Sequence, residues 1–299
     1  MMLVREIRDN SYLDLLFNPA AETGLQWTVI SQYEPFKQQK KEARLKYPKS
    51  PLRYPGGKAR AVQIVLSLIP NGTRKLISPF LGGGSIEIAA ASQGIPVFGF
   101  DVFKPLVNFW KHLLFDSELL ANTVERLYPL PKDSFYQLQK TTLHDDIESA
   151  AIYYVLNRAS YSGATLSGGM SPGHPRFTKS SIAYLRQFKS PILTVEYSDF
   201  KSSIKNDNDD FMYLDPPYMI ASALYGKNGD AHKEFDHLGL AKILHHKSNW
   251  ILSYNNSPEI RELYSGYRML IPNWKYGMSN DKDSRELLIL SHDIAKNIG

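Results

Sequence analysis

The chain has 299 residues, of which 43% are hydrophobic and 12% aromatic, so it can bury a sizeable core and is not an intrinsically disordered polymer. A count of 35 basic against 30 acidic residues gives a formal charge of +5, a balance that suits a polyanionic partner without establishing one. The absence of cysteine excludes disulfides, a thiolate nucleophile and cysteine-ligated zinc or iron–sulfur sites.

At the start of the chain Arg5, Glu6, Arg8 and Asp9 leave no room for a signal-peptide core, and no uninterrupted apolar run is long enough to cross a bilayer. The expectation is a soluble, cytoplasmic protein with no membrane contact, built as one large domain or one domain carrying an insertion. Residues 1–50 form an extension of uncertain role that ends in Lys37, Lys40, Lys41, Arg44, Lys46 and Lys49. Such a run is more often a solvated helix or linker than a DNA-contacting arm. Arg53-Tyr54-Pro55-Gly56-Gly57-Lys58 then makes a turn, and Val62, Ile64, Val65, Leu68 and Ile69 follow with helical spacing. A lysine near a helix start opposes the helix dipole, so Lys58 points to a ligand carboxylate nearby or simply faces solvent.

Leu76 to Phe80 reads as a strand, Gly82-Gly83-Gly84-Ser85 as a tight loop, Ile86 to Ala91 as a helix, and Val97 to Phe100 as a second strand ending at Asp101. Strand, glycine loop, helix, strand and acid in that order make the first half of a nucleotide-binding α/β unit, with the acid placed for a ribose hydroxyl pair. The loop departs from G-x-G-x-x-G and lacks the ending of a phosphate loop, so alone it is weak. Helices follow from Asn108, and then a polar, glycine-rich stretch from Asn157 to Lys179 carries Arg158, Tyr161 and Arg176. A long loop of that kind inside a compact domain is either a mobile excursion or a reader of base edges. Ile192 to Val195 returns to strand, with Asp199 beyond its end. Trp250 to Ser253 is a later strand, and Glu286 to Leu290 is a last one that pairs with Arg268 to Ile271.

The most telling segment is Phe211-Met212-Tyr213-Leu214 followed by Asp215-Pro216-Pro217-Tyr218. An apolar strand that stops at two prolines leaves a carboxylate, free carbonyls and an aromatic ring at its carboxyl end, where ligands bind in open α/β sheets. Those groups suit an exocyclic amine on a planar heterocycle such as adenine; a rigid strand end is the plain alternative.

Taken in order, Arg53 to Lys58, Pro79 to Ser85, Phe100-Asp101, Leu156-Asn157-Arg158 with Tyr161 and Gly163, Asp199-Phe200, Asp215 to Tyr218 and Leu252-Ser253-Tyr254-Asn255 resemble the Dam-like, alpha-group adenine-N6 DNA methyltransferases across roughly residues 51 to 290. The resemblance implies an α/β fold, a Rossmann-like, mostly parallel sheet with an inserted helical and hairpin target-recognition region. The catalytic domain would take residues 51–110 and 191–299, and the insertion 111–190. It implies S-adenosylmethionine as cofactor, held by Tyr54, Lys58, Phe80, Gly82, Gly84, Asp101, Asp199, Phe200 and Asp215, with Lys58 near the cofactor carboxylate. It further implies catalysis by Asp215, Pro216, Pro217 and Tyr218 on a base flipped from double-stranded DNA, contacts to that DNA from Asn157, Arg158, Tyr161, Arg176 and Lys179, and no metal. The hairpin after Tyr161 does not match that of GATC readers, which leaves the recognised site open; the oligomeric state is open as well. N4-cytosine methylation is the alternative chemistry, against which Asp215 argues because serine is commoner there. A DNA-binding module without catalysis is the alternative class.

Overall fold

The parallel sheet expected from the sequence forms around the two strands that carry the site. A computed structural model of the chain describes residues 34–35, 47–54, 56–172, 176–204, 210–219, 235–272 and 286–297. Among them, eight strands form one sheet: β1 (Glu34–Pro35), β2 (Leu76–Ser78), β3 (Val97–Asp101), β4 (Leu193–Tyr197), β5 (Phe211–Leu214), β6 (Trp250–Asn255), β7 (Arg268–Ile271) and β8 (Glu286–Leu290). Their order is β1-β7-β8-β6-β5-β2-β3-β4. The strands from β4 through β6 are parallel, and β8 runs antiparallel between β6 and β7. The expected pairing of the last strand with Arg268 to Ile271 is present, with Leu270 opposite Leu288. β2 ends at Ser78 rather than Phe80, because Pro79 has no N–H to continue the ladder.

Central parallel strands are covered on both faces, which is why β5 is buried throughout and reads as an unbroken apolar run. Phe211 and Tyr213 join one hydrophobic cluster while Met212 and Leu214 join another. Because side chains alternate across a strand, the two clusters occupy opposite faces of the sheet, giving three layers. The helices are α1 (Val62–Leu68), α2 (Ser85–Ser92), α3 (Lys104–Phe115), α4 (Ser117–Glu125), α5 (Lys132–Gln139), α6 (Ile147–Ala159), α7 (Lys179–Gln187), α8 (Phe200–Ser203), α9 (His237–His245), α10 (Pro258–Leu263) and α11 (His292–Lys296). The segment read as an insertion is mostly α4 to α7, and its Leu120, Phe135, Tyr154 and Leu185 belong to the same cluster as Leu76 and Val97. The insertion therefore shares the core of the sheet rather than building its own.

The polar stretch read as one loop from Asn157 to Lys179 is shorter at both ends. Asn157 lies on the last turn of α6, and Thr178 caps α7 by accepting from the Ser181 N–H, so Lys179 is already helical. Between them Ser160 bridges Met170, and Gln139 clasps the turn by donating to the carbonyls of Thr165 and Gly168 at 2.9 and 2.7 Å. No helix among the described residues is long and apolar enough to cross a membrane. Residues 1–33 and 36–46, which carry most of the N-terminal lysine run, lie outside the described residues, as do Pro55 and Gly173.

Candidate active site

Connections leave β2 toward β3 on one side while β5 leads to β6 on the other, so a crevice opens where their carboxyl ends diverge. A cavity of about 1140 Å³ occupies this place, bordered by the glycine loop after β2, Asp101 at the end of β3 and Asp215 to Tyr218 after β5. The glycines are there for close approach. Gly82 has φ +49°, and a Cβ on it would stand 2.9 Å from the Tyr54 ring; Gly84 has φ +66°, and its Cβ would meet Trp110 at 3.0 Å. Trp110 also donates its indole N–H to the Gly82 carbonyl at 3.1 Å. Any side chain at either position would distort the loop.

Asp101 is tied to this loop. Its Oδ2 accepts from the Gly82 N–H at 3.0 Å and its Oδ1 from the Phe103 N–H at 2.9 Å. Burial pushes its carboxyl above the ordinary range, while those backbone donors hold it down. Each carboxylate oxygen has a second lone-pair direction, so the group can still accept from two hydroxyls. Phe80, Phe200 and Phe235 pack into an aromatic patch that also lines the cavity, with ring centroids 5.8 Å apart for Phe80 and Phe200 and 5.2 Å for Phe200 and Phe235. Asp199 sits exposed at its edge and caps α8 by accepting from the Ser202 N–H at 2.9 Å.

Asp215 is held in a polar cluster. Lys58, only 5% exposed, places its Nζ 2.8 Å from Asp215 Oδ1, 3.5 Å from Glu286 Oε1 and 4.8 Å from the centroid of the Tyr218 ring. Lys58 also donates to the Gly56 carbonyl at 3.0 Å. Within the chain, the carboxylate nearest this lysine is Asp215. Tyr218 donates its hydroxyl to Glu286 Oε1 and stacks on Tyr254 with centroids 5.8 Å apart. Burial raises the Asp215 carboxyl, and the Lys58 ammonium and Tyr218 hydroxyl oppose that rise.

Among the lining residues that the sequence reading did not place at the site are Glu286, Glu87 and Phe235. Glu286 opens the otherwise apolar run of β8, and Glu87 interrupts the apolar run of α2. A lone carboxylate embedded in an apolar segment is a usable signal, since such groups are almost never buried unless paired. Phe235 follows residues outside the described set and carries no local signal.

The residues read as DNA contacts divide. Asn157 is fully buried, its Oδ1 accepting from the Arg53 N–H and its amide donating to the Arg53 carbonyl, each at 2.8 Å. It is a brace joining α6 to the turn before Lys58, with no surface left for a base. Arg158 is half-buried and donates to the carbonyls of Arg176 and Pro51 at 3.2 and 3.3 Å. Tyr161, Arg176 and Lys179 are exposed.

The sheet order gives a mixed, mostly parallel α/β sheet of the kind found in methyltransferases, with an acidic cluster at its switch point. The family model of D12 class N6 adenine-specific DNA methyltransferases matches residues 54–278, and the chain belongs to that family. Among its relatives, the DNA N-6-adenine-methyltransferase of Escherichia phage P1 is 25% identical over 78% of this chain, which spans 33% of that protein's length. The type II methyltransferase M.CviBI of Paramecium bursaria Chlorella virus NC1A is 22% identical over 72% of this chain and 86% of its own. The type II methyltransferase M1.LlaDCHI of Lactococcus lactis subsp. cremoris is 21% identical, with 73% of this chain and 84% of its own covered.

Proposed function

We propose that this chain transfers a methyl group from S-adenosylmethionine to the N6 amine of an adenine flipped out of duplex DNA. The observation that carries this reading is the position of Asp215, a strand-end carboxylate that faces the same crevice as the Gly82–Gly84 loop and Asp101. The crevice fits such a cofactor: its volume exceeds what one small molecule needs, and its walls combine the Phe80 and Phe200 rings with a carboxylate, Asp101, that can accept two hydroxyls. In this reading Asp101 holds the ribose, Phe80 and Phe200 with Asp199 border the adenine ring, and Tyr54 and the glycine loop cover the remainder. The cofactor supplies an electrophilic methyl group on a sulfonium.

Everything else is positioning by the chain's own groups. Asp215 and the Pro216 carbonyl accept from the target amine, which discourages donation of the nitrogen lone pair into the ring and aims it at the methyl group. The Pro216-Pro217 pair lacks N–H groups, so nothing in the chain competes for that carbonyl through a sheet ladder. Lys58 opposes the burial that favours a protonated Asp215. Tyr218 offers the ring on which the base stacks. Incubation of the protein with labelled S-adenosylmethionine and plasmid DNA, followed by modified-base sequencing, tests the reading; label on cytosine, or none on DNA, overturns it.

Two further outcomes are expected. Asp101→Ala should weaken S-adenosylmethionine binding by about tenfold to a hundredfold in calorimetry, the range for a lost charge-assisted hydrogen bond, and leave DNA affinity within a factor of about two. Unchanged cofactor affinity would make Asp101 only the clasp of the glycine loop. Arg158→Ala should lower methylation of every DNA sequence by one common factor, because its guanidinium braces Arg176 and Pro51 instead of reaching outward. Selective loss at one base pair would restore it to base reading, where a direct contact is worth about 1–3 kcal/mol.

A further inference from the structure

Lys58 makes two contacts that the proposed function assigns to the adenine: its ammonium lies 2.8 Å from the acceptor Asp215 Oδ1 and 4.8 Å from the centroid of the Tyr218 ring. An amine arriving at Asp215 therefore meets a cation already there. A buried ammonium cannot leave one carboxylate without reaching another, since an unpaired buried charge is strongly disfavoured. The second carboxylate is at hand, with Glu286 Oε1 3.5 Å from the same Nζ and only 1% of the residue exposed. The same Oε1 accepts from the Tyr218 hydroxyl, so the lysine and the stacking ring answer to one group. Glu286 is held by the sheet itself, paired opposite Asn255 in the antiparallel ladder of β6 and β8.

We propose that Glu286 is a positioning residue that receives the Lys58 ammonium when the target amine takes its place on Asp215, so that the acceptor is vacated without leaving a charge unpaired. This rests on the reading of Asp215 as the amine acceptor. Lys58 moves by a short distance between two carboxylates and keeps its bond to the Gly56 carbonyl. Tyr218 is kept in register throughout by its bond to Glu286.

The test is a double-mutant cycle on plasmid DNA of mixed sequence, read as kcat and KM with labelled S-adenosylmethionine, alongside thermal unfolding and calorimetric cofactor binding. Glu286→Gln preserves shape and can still accept from Tyr218, but it cannot pair an ammonium. It should lower kcat by about tenfold or more with KM for DNA and cofactor affinity within a factor of about two, and in a Lys58→Met background it should cost no more than about twofold, since nothing remains to be received. Glu286→Asp, which keeps the charge, should recover most of the loss and serves if the glutamine variant folds poorly. An equal loss in both backgrounds, a loss matched by cofactor affinity, or an aspartate variant as poor as the glutamine would overturn the inference and leave Glu286 a structural partner. A wild-type chain inactive on DNA would instead remove the proposed function, and this inference with it.

Discussion

Asp215→Ala is expected to reduce methyl transfer by at least about a hundredfold to a thousandfold while the protein stays folded, because one preorganised partner of a developing charge is commonly worth that much. The side chain lies at the end of β5, past the last ladder pair, so its removal takes away no sheet hydrogen bond. Lys58 keeps Glu286 and the Gly56 carbonyl as partners and is not stranded. Asp215→Asn separates charge from shape: the amide can still accept from the amine through its carbonyl, but it gives a weaker bond and presents two donors to a site that needs acceptors. Both variants should bind S-adenosylmethionine more nearly like the wild type than Asp101→Ala does. Single-turnover transfer to DNA and unfolding curves, measured together, decide the matter. Near-wild-type turnover in the alanine variant would move catalysis away from the β5 strand end.

What could be read from the sequence follows from how local each signal is. Phe211 to Leu214 declares itself a buried strand because both its faces are covered, and the two prolines after Asp215 mark its end by removing ladder donors. The glycine loop and Asp101 are legible for the same reason: tight turn, helix and strand lie within a few tens of residues. Lys58 was read as facing a ligand carboxylate or solvent; its ion pair with Asp215, far along the chain, is something that the turn chemistry near Lys58 could not reveal. Glu286 escaped because its place depends on β8 being inserted antiparallel between β6 and β7, and strand order is written in no single segment. Arg158 and Asn157 were read as DNA contacts from their polar, glycine-rich surroundings and from the family resemblance. Polarity does not distinguish a side chain that faces a partner from one that satisfies backbone carbonyls in a folded turn, and these two do the latter.

The other large effect concerns stability. Glu87 stands at the third position of α2, 2% exposed, accepting from the Ser78 hydroxyl at 2.6 Å. Burial is the leading influence on it and Asp215 adds to it, while Ser78 and the backbone N–H groups of Ile86 and Glu87 oppose them; the carboxyl is pushed up to about 7 from an ordinary 4.5. A raised folded value means that the native state binds the proton more tightly than the unfolded chain. Stability should therefore be greatest below the unfolded value and fall as pH rises toward 7, by about 3 kcal/mol for this group alone. Glu87→Gln keeps an acceptor for Ser78 and removes the titration. Relative to wild type it should gain about 2–3 kcal/mol of unfolding free energy between pH 5 and pH 8, read by urea denaturation at each pH. A constant difference between the two proteins across that range would show that the wild-type carboxyl does not titrate there.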